Sequence, residues 1–376
     1  MLNPTHALHV RSVMSRRDAI RLAGVAAMAS LVPTISACRR GPMMGDEVGQ
    51  GTNLYTSLDT QIIDQVISTI DSITTGSPLR VRVIGDTEAT KATGLVQRII
   101  DERARPGCDV WFSSEILGTL RLASMGLLEP LGDIAAPIAP APGAAPVPWP
   151  IVGPDAAYLA VAQRPRVIAW SSRRLGTAAN KPAPASLQAL VQDPSIRVAI
   201  ADPRFGTTRG DLAALALAWG ESALTDWLTR LVRNGLRVVP GNAAVVRAIN
   251  TSEADCGLTD YDDLFAAISN AWPVAGHAAI DEASPERGCV YTPATLAIIR
   301  NAPNPDRARR LARAMSSPEV QTVLAQGPMR MNPVGRTLEN LPADLPTYPA
   351  AKVNWNELLA GEQIAMRAWD KAQRAG

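Results

Sequence analysis

The residues best suited to chemistry are an acidic run, Asp260-Tyr261-Asp262-Asp263, and two glycine-led turns, Gly206-Thr207-Thr208 and Gly241-Asn242. The run offers carboxylates and a phenol, hard oxygen donors of the type a hard cation prefers. Carboxylates packed this closely repel one another, so without a cation some should hold protons. If residue 262 faces a cleft, residue 263 caps a helix or faces away. The same aspartates also suit a plainer role, with Asp260 or Asp262 as N-cap of a helix carrying Leu264, Phe265 and Ala266. The glycine-led turns follow strand-like stretches and open helices. Backbone N–H groups at a positive helix end make an anion site, although Thr207 could simply cap. Asn242 could donate to the same anion. Arg166 and Arg209 are candidate counter-charges, of a type more often found on a surface.

Other chemistries find little support. The 376 residues carry 37 basic and 35 acidic side chains, a net charge of +2, and that balance argues against a nucleic-acid binder. No CxxC or CxxH spacing occurs among Cys38, Cys108, Cys256 and Cys289, which excludes a typical zinc cage. A Cys256–Cys289 disulfide and three buried thiols are equally open readings. Beyond His6 and His9 near the N-terminus, the one histidine is His277, in the loop-like stretch AWPVAGHAAI. A Ser-His-Asp triad would depend on it alone, and a structural role is expected. Lys91 follows no GxxxxGK[ST] motif, and GxSxG and HExxH are absent.

The elements that would position the acidic run and the turns alternate in type. Strands are expected at 52–57, 79–84 and 109–112, and helices at 59–74, 87–103 and 116–125. Such alternation indicates an α/β layer with a largely parallel sheet. A stretch from Pro130 to Pro154, rich in proline and alanine, reads as an extended surface segment. Strands at 157–162 and 166–170 leave the first unit, and a second α/β unit spans roughly 165–270, with further strands at 197–200, 236–239 and 256–258. Its helices are expected at 186–192, 207–219, 225–233 and 242–250. A strand at 289–299 returns to the first unit, followed by helices at 305–325, with a break inside, and 355–374. Two α/β lobes with several crossings imply a hinge, with the ligand between them at strand C-termini and helix N-termini.

The N-terminus reads as an address. Arg16-Arg17 precedes a moderately apolar stretch ending Ile35-Ser36-Ala37-Cys38, a Tat-like signal running into a lipobox with Cys38 as the acylated residue. Residues 39–51 read as a tether. No 18-residue apolar run follows, so an exported protein held at a membrane by lipid is expected. The resulting division is a signal at 1–38, the tether, a first lobe of 52–164 with 286–330, and a second lobe of 165–285 with 331–376.

The runs NLYTSLD (53–59), DTEATKATGLVQRIIDERARPGCDVWFSSEILGTLRLASMGLLEPL (86–131), FGTTRGDLAAL (205–215), GNAAVVRAI (241–249), CGLTDYDD (256–263) and SSPEVQTVLA (316–325) resemble the periplasmic ferric-iron-binding proteins of ABC importers. The resemblance implies a type II periplasmic binding protein fold, two Rossmann-like lobes joined by a double strand. It implies a non-enzymatic, monomeric receptor working with a permease and its ATPase. The cargo it implies is ferric iron with a synergistic anion. Asp59, Glu115, Tyr261 and Asp262 would be the iron ligands, and Gly206, Thr207, Thr208 and Asn242 would hold the anion, with Asp260 and Arg166 beside them. The family's tyrosine pair falls on Tyr261 and Asp262, so one of its two phenols is missing. That departure keeps a second ligand class open, a phosphonate, phosphate ester or thiamine-like anion. A metal-dependent lipoprotein hydrolase using Asp59 or Glu115 and a structural envelope lipoprotein are the remaining alternatives.

Overall fold

The first strand, β1 (Thr52–Thr56), lies between β2 (Val81–Gly85) and β3 (Val110–Ser113), parallel to both. The coordinates are a computed structural model describing residues 51–86, 93–135, 152–284, 287–335 and 338–376, all within one unit of the chain. The signal, the tether, Cys38, Lys91 and most of the proline-rich stretch lie outside the described residues. Among the described residues no helix is long and apolar enough to cross a membrane.

β3 pairs antiparallel with β10 (Tyr291–Ile299), which pairs antiparallel with the first half of β5 (Leu159–Ser171). The second half of β5 runs on into another sheet. There, Arg166–Trp170 pair with β8 (Cys256–Asp260) on one side, and Val167–Ser171 pair with β9 (Val274–Ala278) on the other. β8 continues in parallel to β6 (Val198–Ala201) and then β7 (Arg237–Val239). One strand therefore belongs to both lobes. The sequence reading divided it into two strands because Gln163-Arg164-Pro165-Arg166 interrupts the apolar run. The structure buries all four residues at the junction.

Alternation along β5 builds two cores on the second sheet. Ile168 packs with Ile200, Leu258 and Leu212 on one face, while Val167 and Ala169 pack with Val245 and Leu264 on the other. Successive strand side chains point to opposite faces, and both faces here are covered by helices. In the first lobe α1 (Thr60–Ile73) buries Ile63, Val66 and Ile70 against the core of Leu54, Trp111 and Phe112. α2 (Thr93–Asp101) and α3 (Ile116–Ser124) follow β2 and β3, and Gly126, at φ 66°, takes the left-handed conformation beyond the end of α3.

Several expectations change. The helices expected at 207–219 and 225–233 are one element, α4 (Gly206–Arg233), kinked at Gly220. The break expected within 305–325 separates α7 (Pro305–Met315) from α8 (Pro318–Gln326), where Ser317 caps the second helix. His277 lies in β9 rather than a loop; its ring nitrogens bond the carbonyls of Ala278 and Pro184, and it packs on Trp170. Cys108, Cys256 and Cys289 are buried free thiols. The segment assigned to the second lobe from residue 331 starts elsewhere. β11 (Asn332–Pro333) pairs with the first-lobe half of β5, and Trp355 and Leu358 join the first core. From there α9 (Leu358–Ala375) lays Ala365, Ala368 and Trp369 into the second core.

Candidate functional site

Parallel strands end in turns that open helices, and here five such helix starts meet one cavity of about 360 Å³. From the first lobe come Asp59, at the start of α1, and Glu115, at the start of α3. From the second come the starts of α4, of α5 (Asn242–Asn250) and of α6 (Tyr261–Ser269), which follow β6, β7 and β8. Neither α4 nor α5 is capped by a side chain at its N-terminus. The positive ends of both helices therefore face the cavity without a local acceptor from their caps.

Of the residues proposed from sequence, Asp59, Glu115, Gly206, Thr207, Thr208, Asn242, Asp260 and Asp262 line this cavity, as does Asp263. Tyr261 does not. Its hydroxyl donates to the Asp344 carbonyl at 3.1 Å, and its ring stacks on Phe265. Burial, with Asp344 nearby, pushes the Tyr261 phenol up, against the ionisation a metal ligand needs. None of the five tyrosines of the sequence lines the cavity. The expected phenolate is therefore absent from the site.

The side chains assigned to the anion are already tied to one another. Thr207 Oγ1 donates to Asp260 Oδ2 at 2.6 Å, and Asn242 Nδ2 donates to Thr207 Oγ1 at 2.6 Å and to Asp260 Oδ2 at 3.0 Å. Arg166 holds the group from behind. It is fully buried outside the cavity lining, and donates to Asp260 Oδ1 at 2.6 Å and to Asp211 Oδ2 at 3.3 Å. Its remaining donors reach Thr207, Thr208 and Asn242. Burial opposes ionisation of Asp260, but Arg164 and Arg166 overcome it and hold the carboxyl well below the usual range.

Arg164 was not anticipated. It is 3% exposed, lines the cavity, and donates from Nη2 to Asp260 at 3.0 Å, with Nε 3.3 Å from Asp262. Its Nη1 makes no hydrogen bond to any described residue. A buried guanidinium with an unused donor is costly unless something else accepts from it. The sequence signal was available: two arginines two positions apart, flanking Pro165 inside an apolar strand, must share one face of it. Arg209, the other candidate counter-charge, instead pairs with Glu362 of α9, which also accepts from Arg121 of α3 at 2.9 Å.

Glu115 is committed as a cap. Its two oxygens accept from Leu117 N at 2.9 Å and Gly118 N at 2.8 Å. Burial pushes this carboxyl up to about 7, partly offset by those two amides and Arg209. Asp260, Asp262 and Asp263 bring one carboxylate oxygen each within 4.8 Å of one another. Two of these three carboxylates already pair with Arg164.

Residues 86–327 match the model of a family described as bacterial extracellular solute-binding protein. No curated protein matches the sequence. Solved structures resemble the fold along most of the chain. Iron-bound HitA of Pseudomonas aeruginosa is 20% identical, covering 87% of this chain and 99% of its own, with a TM-score of 0.68. The apo ferric-ion-binding protein A of Pasteurella haemolytica is 17% identical over 87% of this chain and 99% of its own, at 0.72. AfuA of Actinobacillus pleuropneumoniae, with fructose-6-phosphate bound, is 18% identical over 85% and 97%, at 0.68. At such identities these likenesses establish the two-lobed type II periplasmic binding fold.

Proposed function

The chain belongs to the bacterial extracellular solute-binding protein family, and on that premise we propose that it captures a small phosphorylated organic solute for an ABC-type importer. The observation that carries this reading is Arg164, buried in the cavity wall with Nη1 unpartnered among the described residues. Charge-assisted bonds from a guanidinium to phosphate are among the strong ones. The uncapped starts of α4 and α5 add backbone donors suited to the same group. A volume of about 360 Å³ falls in the range of small-molecule sites. Asp59 and Glu115 approach from the first lobe, so a bound solute would favour the closed arrangement of the hinge.

A second reading keeps ferric iron with a synergistic anion as cargo, favoured by the close carboxylates of Asp260, Asp262 and Asp263. Thermal unfolding of the purified chain, stripped of ligand, separates the two. Fructose 6-phosphate or ethyl phosphate at a hundredfold excess over Kd would stabilise by about 2.7 kcal/mol, a rise in midpoint of several degrees. Stabilisation by ferric citrate, with none by either phosphate ester, would sink the proposal in favour of iron. Export and acylation at Cys38 belong to the same reading, on the Arg16-Arg17 and Ile35–Cys38 motifs. Intact-mass analysis of the membrane fraction tests them, and a Cys38→Ala chain still recovered with lipid would refute the anchor.

A further inference from the structure

Opposite the cleft, the first lobe ends in a surface rich in arginine. The cleft lies where β1 and β3 give way to Asp59 and Glu115. The other pole lies where those strands begin. There the Thr52 amide donates to the Arg80 carbonyl, and Asp109, just before β3, accepts from the amides of Asn53 and Asn304. Asn304 precedes α7, so that helix starts at this pole. α7 turns Ala308, Leu311, Ala312 and Met315 into the first core and leaves Arg309, Arg310 and Arg313 exposed. Arg310 donates to the carbonyl of Ser77, in the connection into β2, and Arg309 to that of Leu131. Arg80 and Arg82 of β2 and its approach, and Arg103 and Arg105 of the approach to β3, are exposed as well. Arg313 pairs with Asp133. Arg82, Arg103, Arg105, Arg309 and Arg310 pair with no carboxylate of the described residues. The other exposed acids at the ends of these helices are Asp71, Asp101 and Asp306.

We propose that this pole rests on an anionic lipid bilayer, an inference that depends on the anchoring read from Cys38. Charge complementarity argues for that occupant. Arginines close to a membrane are drawn to anionic headgroups, and a lipid chain holds more stably when a basic patch adds to it. Where the chain enters the lobe argues for the same surface. Thirteen residues lie between Cys38 and Thr52, and the first two are Arg39 and Arg40. The partners of Arg103, Arg309 and Arg310 are carbonyls, which orient these guanidiniums without cancelling their charge. Contact at this pole points the C-terminal ends of β1 and β3, and with them the cleft, away from the lipid.

The test is cosedimentation with vesicles, using the unacylated chain from Arg39 onward, which keeps the whole compact unit that holds the described residues. Binding to vesicles of equal parts phosphatidylglycerol and phosphatidylcholine should exceed binding to pure phosphatidylcholine at least tenfold at low salt. Salt should erode that preference. Joint replacement Arg309→Glu and Arg310→Glu should reduce it at least fivefold. Arg82→Gln with Arg105→Gln, which removes no ion pair, should reduce it at least twofold and carries the test if the first variant fails to fold. The same reversal on the second lobe, Arg230→Glu with Arg233→Glu, should leave it unchanged. Equal binding to both vesicle types overturns the proposal, and a preference lost equally in the second-lobe variant refutes its placement. Intact mass reports acylation separately, so a lipidated chain without a phosphatidylglycerol preference keeps its anchor and loses this surface.

Discussion

Replacing Arg164 by methionine keeps the length of the stem and removes the guanidinium. In the cavity this deletes the charged donor with an unused Nη1. A hydrogen bond to a charged group contributes about 1.5–3 kcal/mol, so the dissociation constant for a phosphate ester should rise roughly 10- to 150-fold. The same change touches stability, because Arg164 sits 3.0 Å from Asp260 and 3.3 Å from Asp262. Removing one partner of a buried pair costs about 3–5 kcal/mol. The loss here should fall at or below the low end, since Asp260 keeps Arg166 at 2.6 Å and its donors Thr207 and Asn242. Calorimetry gives the affinity, and denaturant unfolding gives the stability. Arg164→Lys retains the charge without the planar fork and should lie between parent and methionine variant. It also carries the test if the methionine chain is too unstable to titrate. A folded Arg164→Met chain that binds phosphate esters as tightly as the parent refutes the assignment of Nη1 to the ligand.

Glu115 gives a pH signature. Its carboxyl is raised from 4.5 to about 7 by burial, so the folded chain holds its proton where the unfolded chain has lost it. The contribution is fully present below the unfolded value and fades as pH rises through the folded one, amounting to roughly 3 kcal/mol at most. Glu115→Gln should flatten the fall in unfolding free energy between pH 5 and 7.5, and an unchanged slope would assign that slope to other groups. Tyr261→Phe should leave ligand affinity within twofold and cost about 1 kcal/mol for the bond to Asp344; a tenfold loss of affinity would put the phenol back in the cleft. Gly220, at φ 79° in the kink of α4, has nothing within 4 Å of an added Cβ. Gly220→Ala should therefore cost only the backbone strain of a positive φ with ψ 165°, about 1–3 kcal/mol, read as a lower unfolding midpoint, and no loss would mean that the kink relaxes.

Much of this arrangement was legible because strand ends and helix starts leave periodic marks. Gly206 and Asn242 could be placed at the cleft because each stands where a strand gives way to a helix, whereas Asp59 and Glu115 came from the family resemblance. What escaped depended on direction rather than position. Tyr261 and Asp262 are neighbours on α6, yet a turn of roughly 100° per residue sends one toward Asp344 and the other into the cavity. Arg166 read as a counter-charge of a type more often found on a surface, and Arg164 was passed over, because burial of a guanidinium depends on partners distant in sequence, Asp211 and Asp260. β9 escaped because Val274–Ala278, with its central glycine, has only one branched side chain of the kind that marks strands, Val274.

The buried network also decides which groups are left to touch a solute. Arg166 ties Asp260, Asp211, Thr207, Thr208 and Asn242 into one unit behind the wall. Those hydroxyl and amide side chains are therefore occupied in holding the starts of α4 and α5 beside β8. The groups that remain for recognition are the helix amides and the guanidinium of Arg164. Such a wall is set before the ligand arrives, and little ordering is left to oppose binding. Among the described residues, the strand that supplies both arginines is the one strand shared by the two sheets. A solute gripped at Arg164 thus sits at the pivot of the hinge, where a short reach to Asp59 on the first lobe suffices to draw the lobes together.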